Sequence, residues 1–342
     1  MTDRPTAIEG YYVESTEGLL FAVKGLVHPP GALIAYLRYA PQAPGDRERN
    51  GVRYRRLYRF VDQERFLREK HPLYLFFDPV FGEQLQGVLN ERIGLIYEPC
   101  SRLAELRRRR KLDPRQATAV EFADLLVRRA KVPQTSVGIS GSLLVGLHTP
   151  RSDLDVVVYG SEQCQAVHSA LWDLLDESVG QVSRLDAEEM RQLYSSRSQD
   201  TPMSFEDFAR LEGRKVSQGR FRGCEYFIRF VKAPAEVSES YGDRRYTSLG
   251  PAQIEAVVAD AGEAILTPCT YKIDEARFVK PQQTETPPLD IVSFRGRFCE
   301  QARVGARVVA KGKLERVDTR QGESYHRLLL GGPGDFLTAK AG

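Results

Sequence analysis

The chain has 342 residues, a length that predicts roughly two or three domains. Charged residues make up 28% of it, and its formal net charge is +3. No apolar run approaches the roughly 20 residues of a membrane-spanning helix, and Met1–Pro5 lacks the pattern of a signal peptide. The five cysteines include no Cys-x-x-Cys pair, and the five histidines show no metal-ligand spacing. This pattern argues against a zinc site and against disulfides, and it predicts a cytoplasmic protein. Together with the missing apolar run, it predicts no membrane partner.

The N-terminal region, residues 1–90, is predicted to be a β-rich domain. Short apolar runs separated by proline and glycine are typical of strands, and these runs cover Gly10–Glu14, Leu19–Val27, Leu33–Tyr39 and Leu73–Phe77. Within 52–60, arginines alternate with aromatic residues, a pattern that can contact phosphates and stack on bases. The alternative for this strand, and for the basic run Arg107–Lys111, is a solvated surface.

The middle of the chain, residues 91–240, is predicted to form a domain with a mixed sheet and helices. Residues 91–111 are predicted to be helical. A second helix begins at Asp113-Pro114, with Asp113 as its N-cap, and stops before Pro133. Apolar periodicity then predicts helices over 162–176 and 204–212, and strands over 214–221 and 224–231.

Two aspartates mark a candidate metal site in this region. Asp153 and Asp155 are separated by one residue and lead into Val156-Val157-Val158, so a strand over 154–159 would place both carboxylates on one face. Neighbouring carboxylates repel each other, which makes them unfavourable for a fold alone. They are well suited to Mg²⁺, which prefers oxygen ligands and shares its coordination shell with phosphates.

A glycine–serine turn precedes the aspartates and predicts a matching phosphate site. Residues 136–140 are predicted to be a short buried strand, and residues 143–148 a short helix. Gly141 allows a sharp turn and the close approach of a ligand. Ser142 lies at the helix N-terminus, where free N–H groups favour a phosphate. Residues 149–152 form the turn that returns the chain to the acidic strand.

The succession of strand, Gly-Ser turn, short helix, turn and Asp-x-Asp strand resembles the signature of the polymerase-β-type nucleotidyltransferase superfamily. Within it, the chain is most similar to uncharacterised archaeal-type predicted nucleotidyltransferases. The resemblance implies transfer of a nucleoside monophosphate from an NTP to an acceptor hydroxyl, with release of pyrophosphate. It also implies that Asp153 and Asp155 hold two Mg²⁺ ions, or Mn²⁺ in their place, and that Gly141 and Ser142 bind the β- and γ-phosphates.

The same resemblance implies a third catalytic and metal-binding carboxylate on a later strand. Glu225 is the matching residue, near the start of strand 224–231 among apolar and aromatic neighbours, although the superfamily usually has aspartate there. The alternative for Glu225 is an edge-strand glutamate paired with Arg229. Arg151, in the turn before the aspartates, is either a nucleotide-binding residue that neutralises triphosphate charge or a surface residue.

The C-terminal region, residues 247–342, is predicted to be an all-β domain. Alternating or apolar runs separated by turns indicate a small barrel or sandwich, with a hairpin turn over 319–323. Residues 305–317 resemble the meander of an oligonucleotide/oligosaccharide-binding (OB) fold. The fold class expected for the whole chain is therefore α+β, with a central nucleotidyltransferase domain between two β-rich domains.

The favoured function is Mg²⁺-dependent nucleotidyl transfer with RNA as the acceptor, because the flanking β-rich domains and the arginine-aromatic strand suit nucleic acid. Two alternatives remain open. One is a nucleotide- or RNA-binding module without catalysis, and the other is nucleotidyl transfer onto a protein.

Overall fold

The computed structural model describes residues 7–177, 180–197, 203–282 and 284–339, so Met1–Pro5 lie outside the described residues. The chain forms two compact units. One holds the described residues within Met1–Asp78, Glu83–Val182 and Arg220–Tyr241, and the other those within Pro79–Gly82, Ser183–Gly219 and Gly242–Gly342. Within these described ranges, no helix combines the length and apolar character needed to cross a bilayer.

The N-terminal region is β-rich, as predicted, and forms an eight-stranded antiparallel sheet. Its strands are β1 (Tyr12–Ser15), β2 (Leu20–Val23), β3 (Ala32–Pro41), β4 (Arg47–Arg49), β5 (Val52–Arg56), β6 (Leu75–Asp78), β7 (Glu83–Leu89) and β8 (Ile93–Tyr97). The order is β4-β5-β3-β2-β1-β8, and β7 pairs with both β3 and β6. Helix α1 (Phe60–Lys70) connects β5 to the 3₁₀ turn before β6 and buries Leu67 against Phe21, Leu33 and Leu37 of the sheet.

The prediction of a continuous helix over 91–111 was wrong. Residues 93–97 form β8, which pairs antiparallel with β1, and the helix α2 covers only Pro99–Arg108. The run Ile93-Gly94-Leu95-Ile96-Tyr97 is rich in β-branched and aromatic residues that favour a strand. Helices α1 and α6 were not predicted, because each buries few apolar side chains, Leu67 in α1 and Met190 in α6.

The central region contains the predicted mixture of helices and strands. Its elements are α3 (Pro114–Ala130), β9 (Val137–Ile139), α4 (Gly141–Leu144), β10 (Leu154–Tyr159), α5 (Ser161–Asp176), β11 (Val182–Ser183), α6 (Ala187–Arg197), α7 (Phe205–Glu212), β12 (Gln218–Phe221) and β13 (Cys224–Val231). Strand β10 lies between β13, to which it is parallel, and β9, to which it is antiparallel.

The two faces of β10 have different neighbours. Leu154, Val156 and Val158 lie on the face covered by helices, where Phe122 of α3 packs on Tyr226 of β13 with ring centroids 4.8 Å apart. Successive side chains of a strand alternate between its faces. The opposite face therefore carries Asp155 together with Val157 and Tyr159, and these last two residues pack against the segment Ile8–Tyr11.

The C-terminal region is all β. Its strands are β14 (Arg244–Asp260), β15 (Cys269–Phe278), β16 (Asp290–Ser293), β17 (Arg307–Thr319), β18 (Ser324–Leu330) and β19 (Phe336–Ala339). The order β14-β15-β16-β18-β17 closes on itself because β17 also pairs with β14, and β16 runs parallel to β18. A closed five-stranded barrel around Ile254, Tyr271 and Leu328 has the strand count and closure of an OB fold.

Asp113→Ala tests the N-cap of α3, the helix that packs on β10 and β13 on the face opposite Asp155. Asp113 Oδ1 accepts the backbone N–H groups of Arg115 and Gln116 at 2.9 and 3.0 Å, and Gln116 returns a capping-box bond. We expect the substitution to lower the free energy of unfolding by about 1 kcal/mol, measured by urea denaturation. The control Asp173→Ala changes an exposed carboxylate of α5 and should shift it by less than about 0.5 kcal/mol. Equal losses in the two variants would contradict the cap.

Candidate active site

Asp153 and Asp155, here called the acidic pair, lie at the start of β10. Both side chains are half-buried. Among the described residues, neither carboxylate has a hydrogen-bond or ion-pair partner, whereas the main-chain carbonyl of Asp155 accepts the Ser140 N–H at 2.8 Å. Carboxylates removed from water and left without protein partners are unfavourable for folding. The acidic pair is therefore a candidate ligand site rather than a stabilising feature.

The charges around Asp155 affect its pKa in opposite directions. Burial, reinforced by the negative charge of Asp153, raises the pKa of Asp155 to about 7. The positive charges of Arg229, Arg38 and Arg56 act in the opposite direction and lower that pKa. A divalent cation at the pair would relieve both the repulsion and the loss of hydration.

The glycine–serine turn lies directly against Asp155 of the acidic pair. Gly141 adopts φ +59°, and a Cβ atom at this position would overlap Asp155 Oδ2 and lie 2.6 Å from Asp155 Cγ. Glycine is thus required both for the backbone conformation and for the close approach of the turn to the carboxylate. The helix α4 that starts here covers only 141–144, which is shorter and earlier than the predicted 143–148.

Ser142 carries an unsatisfied hydroxyl beside this contact. Ser142 is 7% exposed, and in the described part of the chain its Oγ atom has no hydrogen-bond partner. The neighbouring Ser140 is satisfied, because its hydroxyl donates to the Gly10 carbonyl at 2.7 Å. A buried hydroxyl without a partner costs free energy, so Ser142 Oγ indicates a position for a ligand atom.

Two arginines of the N-terminal sheet act electrostatically on Asp155, a role that was not predicted. Arg38 is the extra residue of a β-bulge in β3, since Leu20 pairs with Tyr39 and the next residue, Phe21, pairs with Leu37. A bulge redirects the side chain of its extra residue. Arg56 lies directly opposite Tyr39 on β5. Both guanidinium groups are close enough to influence the pKa of Asp155.

Arg229 of β13 is the third cation of the site, and it is held by a buried glutamate. Glu9 is fully buried and forms ion pairs with Arg229 at 3.2 Å and with Lys24 at 2.8 Å. The Glu9 carboxylate also accepts the Gly25 N–H at 2.9 Å, and its main-chain carbonyl accepts the Tyr159 hydroxyl at 3.1 Å. These contacts fix the N-terminal segment against β10 and β13.

Glu225 is not brought into a cluster with the aspartates. By extension of the β10–β13 register it lies across from Asp153, but its side chain is 62% exposed and lies 3.5 Å from Arg220, not beside Arg229. In the described residues, no group of three His, Cys, Asp or Glu side chains could hold a metal ion. Glu225 is the second residue of β13 and lies at the surface, within ion-pair distance of Arg220 of the neighbouring strand β12.

Arg151 lies on the surface of the turn before β10. Its side chain is exposed, and its backbone N–H donates to Thr149 Oγ1 at 3.3 Å. The turn is fixed by Arg115, whose guanidinium donates to the Pro150 carbonyl. Of the predicted residues, the structure therefore brings together Gly141, Ser142 and the acidic pair, and it leaves Glu225 and Arg151 at the periphery.

A weak sequence signal existed for the arginines that were missed. Arg38 is the lone charged residue in the run Ala32–Ala40, and Arg229 is the lone cation inside the apolar part of β13. A charge inside a strand that is otherwise apolar needs a partner or a function. Nothing in the spacing connects these strands to the acidic pair, so only the folded chain reveals the proximity.

The residues present fit Mg²⁺. This ion is commonly bound by one or two carboxylates and takes its remaining ligands from water and substrate phosphates. The acidic pair supplies two carboxylates without protein partners, and the unsatisfied Ser142 hydroxyl and the nearby arginines suit the phosphates. The same donors accept Mn²⁺.

Similarity to a known protein extends far beyond these motifs. The chain is 31% identical over 328 residues to the uncharacterised protein MJ1086 of Methanocaldococcus jannaschii, and the match covers 94% of each chain. The chain belongs to the family of this archaeal protein. No protein-family profile matches the chain, and no solved structure matches it significantly. Because the match to MJ1086 covers nearly the whole length, the family shares both units and not only the residues around the acidic pair.

A double-mutant cycle tests the contact between Gly141 and Asp155. We expect Gly141→Ala to lower the free energy of unfolding by more than the roughly 1–2 kcal/mol of a left-handed backbone conformation, because the new methyl group also overlaps the carboxylate. Asp155→Ala should recover part of this loss, with a coupling energy of at least about 0.5 kcal/mol in urea denaturation.

Gly146→Ala is the matched control for that cycle. Gly146 also has a positive φ, +71°, but a Cβ atom there would meet only Arg49 Cδ at 3.6 Å. This variant should carry the conformational cost without any coupling to Asp155. Equal losses for the two glycines, or no coupling at Gly141, would show that the close contact is absent.

The raised pKa of Asp155 predicts a pH-dependent stability in the absence of metal. The folded protein binds the Asp155 proton more tightly than the unfolded chain, whose aspartates titrate near pH 4, so stability falls as the pH rises from about 4 to about 7. We expect Asp155→Asn to remove this component and to raise the melting temperature more at pH 8 than at pH 5, measured in EDTA. An Asn variant with an unchanged pH profile would contradict the assignment.

Proposed function

We propose that the protein is a Mg²⁺-dependent nucleotidyltransferase that transfers a nucleoside monophosphate from an NTP to an acceptor hydroxyl. The observation that carries the proposal is the contact between the Gly141-Ser142 turn and the acidic pair, two chemical features that were predicted separately to bind phosphate and metal. A phosphate held by the turn would lie next to the carboxylates, as phosphoryl transfer with a metal requires.

The acidic pair is the proposed metal site. Mg²⁺ bound there would neutralise triphosphate charge and lower the pKa of the acceptor hydroxyl. The half-buried position of Asp155 strengthens its electrostatic interaction with a bound cation, because the local dielectric is lower than in water. The repulsion between Asp153 and Asp155, which is unfavourable in the metal-free protein, becomes a source of cation affinity.

Gly141 and Ser142 are the proposed triphosphate site. The glycine backbone can approach the phosphates without a side chain in between, and the Ser142 hydroxyl would gain the hydrogen-bond partner that it lacks. Arg38 and Arg56 contribute positive charge from the N-terminal sheet. Arg151, which is exposed in the turn before β10, remains a predicted contact to the outer phosphates.

The reaction is a displacement at the α-phosphorus. The acceptor oxygen forms a bond to phosphorus, the bond from phosphorus to the bridging oxygen breaks, the hydroxyl proton leaves to solvent, and pyrophosphate departs. The chain's own groups act chiefly by position and charge, as is usual for phosphoryl transfer. RNA is the proposed acceptor, because basic and aromatic side chains of the N-terminal sheet lie near the site.

Asp153→Asn and Asp155→Asn test the metal assignment. Each replaces a carboxylate by a neutral group of the same shape, and the loss of several kcal/mol of charge stabilisation predicts at least about a hundredfold lower rate. The measurement is Mg²⁺-dependent transfer of label from each α-labelled NTP to RNA, protein or small-molecule acceptors, with pyrophosphate release followed in parallel. Mg²⁺ with NTP should raise the melting temperature of the wild type but not of these variants.

Asp173→Asn is the matched control, since Asp173 is an exposed carboxylate on α5, and it should retain wild-type transfer. Full activity in either variant of the acidic pair would refute the metal assignment. Binding of NTP that is independent of Mg²⁺, without pyrophosphate release from any NTP and acceptor, would instead identify a binding module.

A further inference from the structure

Tyr58 is a large aromatic residue on the surface of the N-terminal sheet, just after β5. It is 70% exposed. The guanidinium carbon of Arg56 lies 5.1 Å from the ring centroid, and that of Arg38 lies 5.8 Å from it. The Leu57 N–H donates to the Arg38 carbonyl at 2.9 Å, which fixes Tyr58 beside the β-bulge. Arg38, Arg56 and Tyr58 are here called the Arg–Tyr platform.

The two arginines of the platform carry charge that the protein does not neutralise. In the part of the chain that the structure describes, neither guanidinium group forms an ion pair or a hydrogen bond, and their contacts are with the Tyr58 ring. Both positive charges nevertheless act on Asp155. The platform therefore combines an exposed aromatic ring with two cations that have no ion-pair partner among the described residues.

Apolar surface continues from the platform into α1. Phe60 is 43% exposed and packs against Tyr36 with ring centroids 5.7 Å apart, and Val61 is 52% exposed. An exposed aromatic surface next to unpaired cations combines the two properties that bind single-stranded nucleic acid, base stacking and phosphate attraction. An acidic peptide would satisfy the cations, but it would leave the exposed rings without a partner.

We propose that the Arg–Tyr platform binds single-stranded nucleic acid, with a base stacked on Tyr58 and backbone phosphates at Arg38 and Arg56. The proposal rests on the proposed function, because it makes the bound strand the acceptor whose terminal hydroxyl reaches the acidic pair. RNA and DNA strands share this chemistry. The platform lies entirely in the first unit, so the binding site is on the same unit as the acidic pair.

Binding of fluorescein-labelled 12-nucleotide oligo(A) and oligo(U), measured by anisotropy with the full-length protein in EDTA and without NTP, tests the platform. We expect Tyr58→Ala to weaken binding about tenfold, since the stacked ring is lost, whereas Tyr58→Phe should bind like the wild type. Arg38→Gln and Arg56→Gln should each lower the slope of log affinity against log salt by about 0.7, the value for one phosphate contact on a single strand.

Two variants serve as matched controls. Phe77→Ala removes an aromatic side chain that is 66% exposed but has no arginine against it among the described contacts. Arg55→Ala removes an exposed arginine of β5 whose side chain, by the alternation of the strand, faces away from Arg56. Both should bind the oligonucleotides like the wild type. A loss with Phe77→Ala or Arg55→Ala equal to that with Tyr58→Ala would overturn the proposal, because it would reveal general surface attraction.

The same measurement with oligo(dA) and oligo(dT) shows whether the platform binds RNA, DNA or both. Binding of RNA alone, or of both polymers, supports the platform if it depends on Tyr58. Affinity for both polymers that is unchanged in Tyr58→Ala rejects it. The assay is independent of catalysis, so Tyr58-dependent binding by a protein that transfers no nucleotide would refute only the proposed function, while transfer to other acceptors without this binding would refute only the platform.

Discussion

The close approach of Gly141 to Asp155 is the contact on which the candidate site depends. It is made where β9 ends and β10 begins, and the Ser140 N–H bond to the Asp155 carbonyl holds the two strands together at that point. Because Gly141 has no side chain, the turn can lie against the Asp155 carboxylate, and it leaves the buried Ser142 hydroxyl without a partner among the described residues. Helices cover the other face of β10, so they hold the strand without approaching the acidic side.

The N-terminal region contacts the face of β10 that carries Asp155. Ser140 bonds to Gly10, Tyr159 bonds to the Glu9 carbonyl, and Glu9 holds Arg229. These hydrogen bonds of Ser140 and Tyr159 join segments that are more than 100 residues apart in sequence. Arg38 and Arg56 of the N-terminal sheet also lower the pKa of Asp155 through their positive charge, without forming an ion pair with it among the described residues. This arrangement suits the substrate proposed above, because the proposed metal ligands and the proposed phosphate-binding turn are adjacent.

Local signals predicted a large part of the fold. Asp113 and Pro114 were identified as the start of α3, the valines of β10 as a buried strand, and 319–323 as a hairpin turn, and the structure has all three. Each of these features is determined by neighbouring residues: a capping side chain, a β-branched run or a tight turn. The helix predicted over 91–111 was wrong over residues 93–97, which pair with β1, a strand that is distant in the sequence.

The acidic pair, Gly141 and Ser142 could be identified from the sequence because they lie within 15 residues of one another, at the two ends of the short connection between the paired strands β9 and β10. Glu225 and Arg38 show the limit of such reasoning. Glu225 occupies the expected strand, but its exposure and its contact with Arg220 arise from the packing of β13 and its hairpin. Arg38 lowers the pKa of Asp155 from a different sheet, an effect that depends on tertiary packing and that residue order does not reveal. The order of residues determines the geometry of a short segment such as 141–155. Which distant charges come close to one another is decided by how the sheets pack.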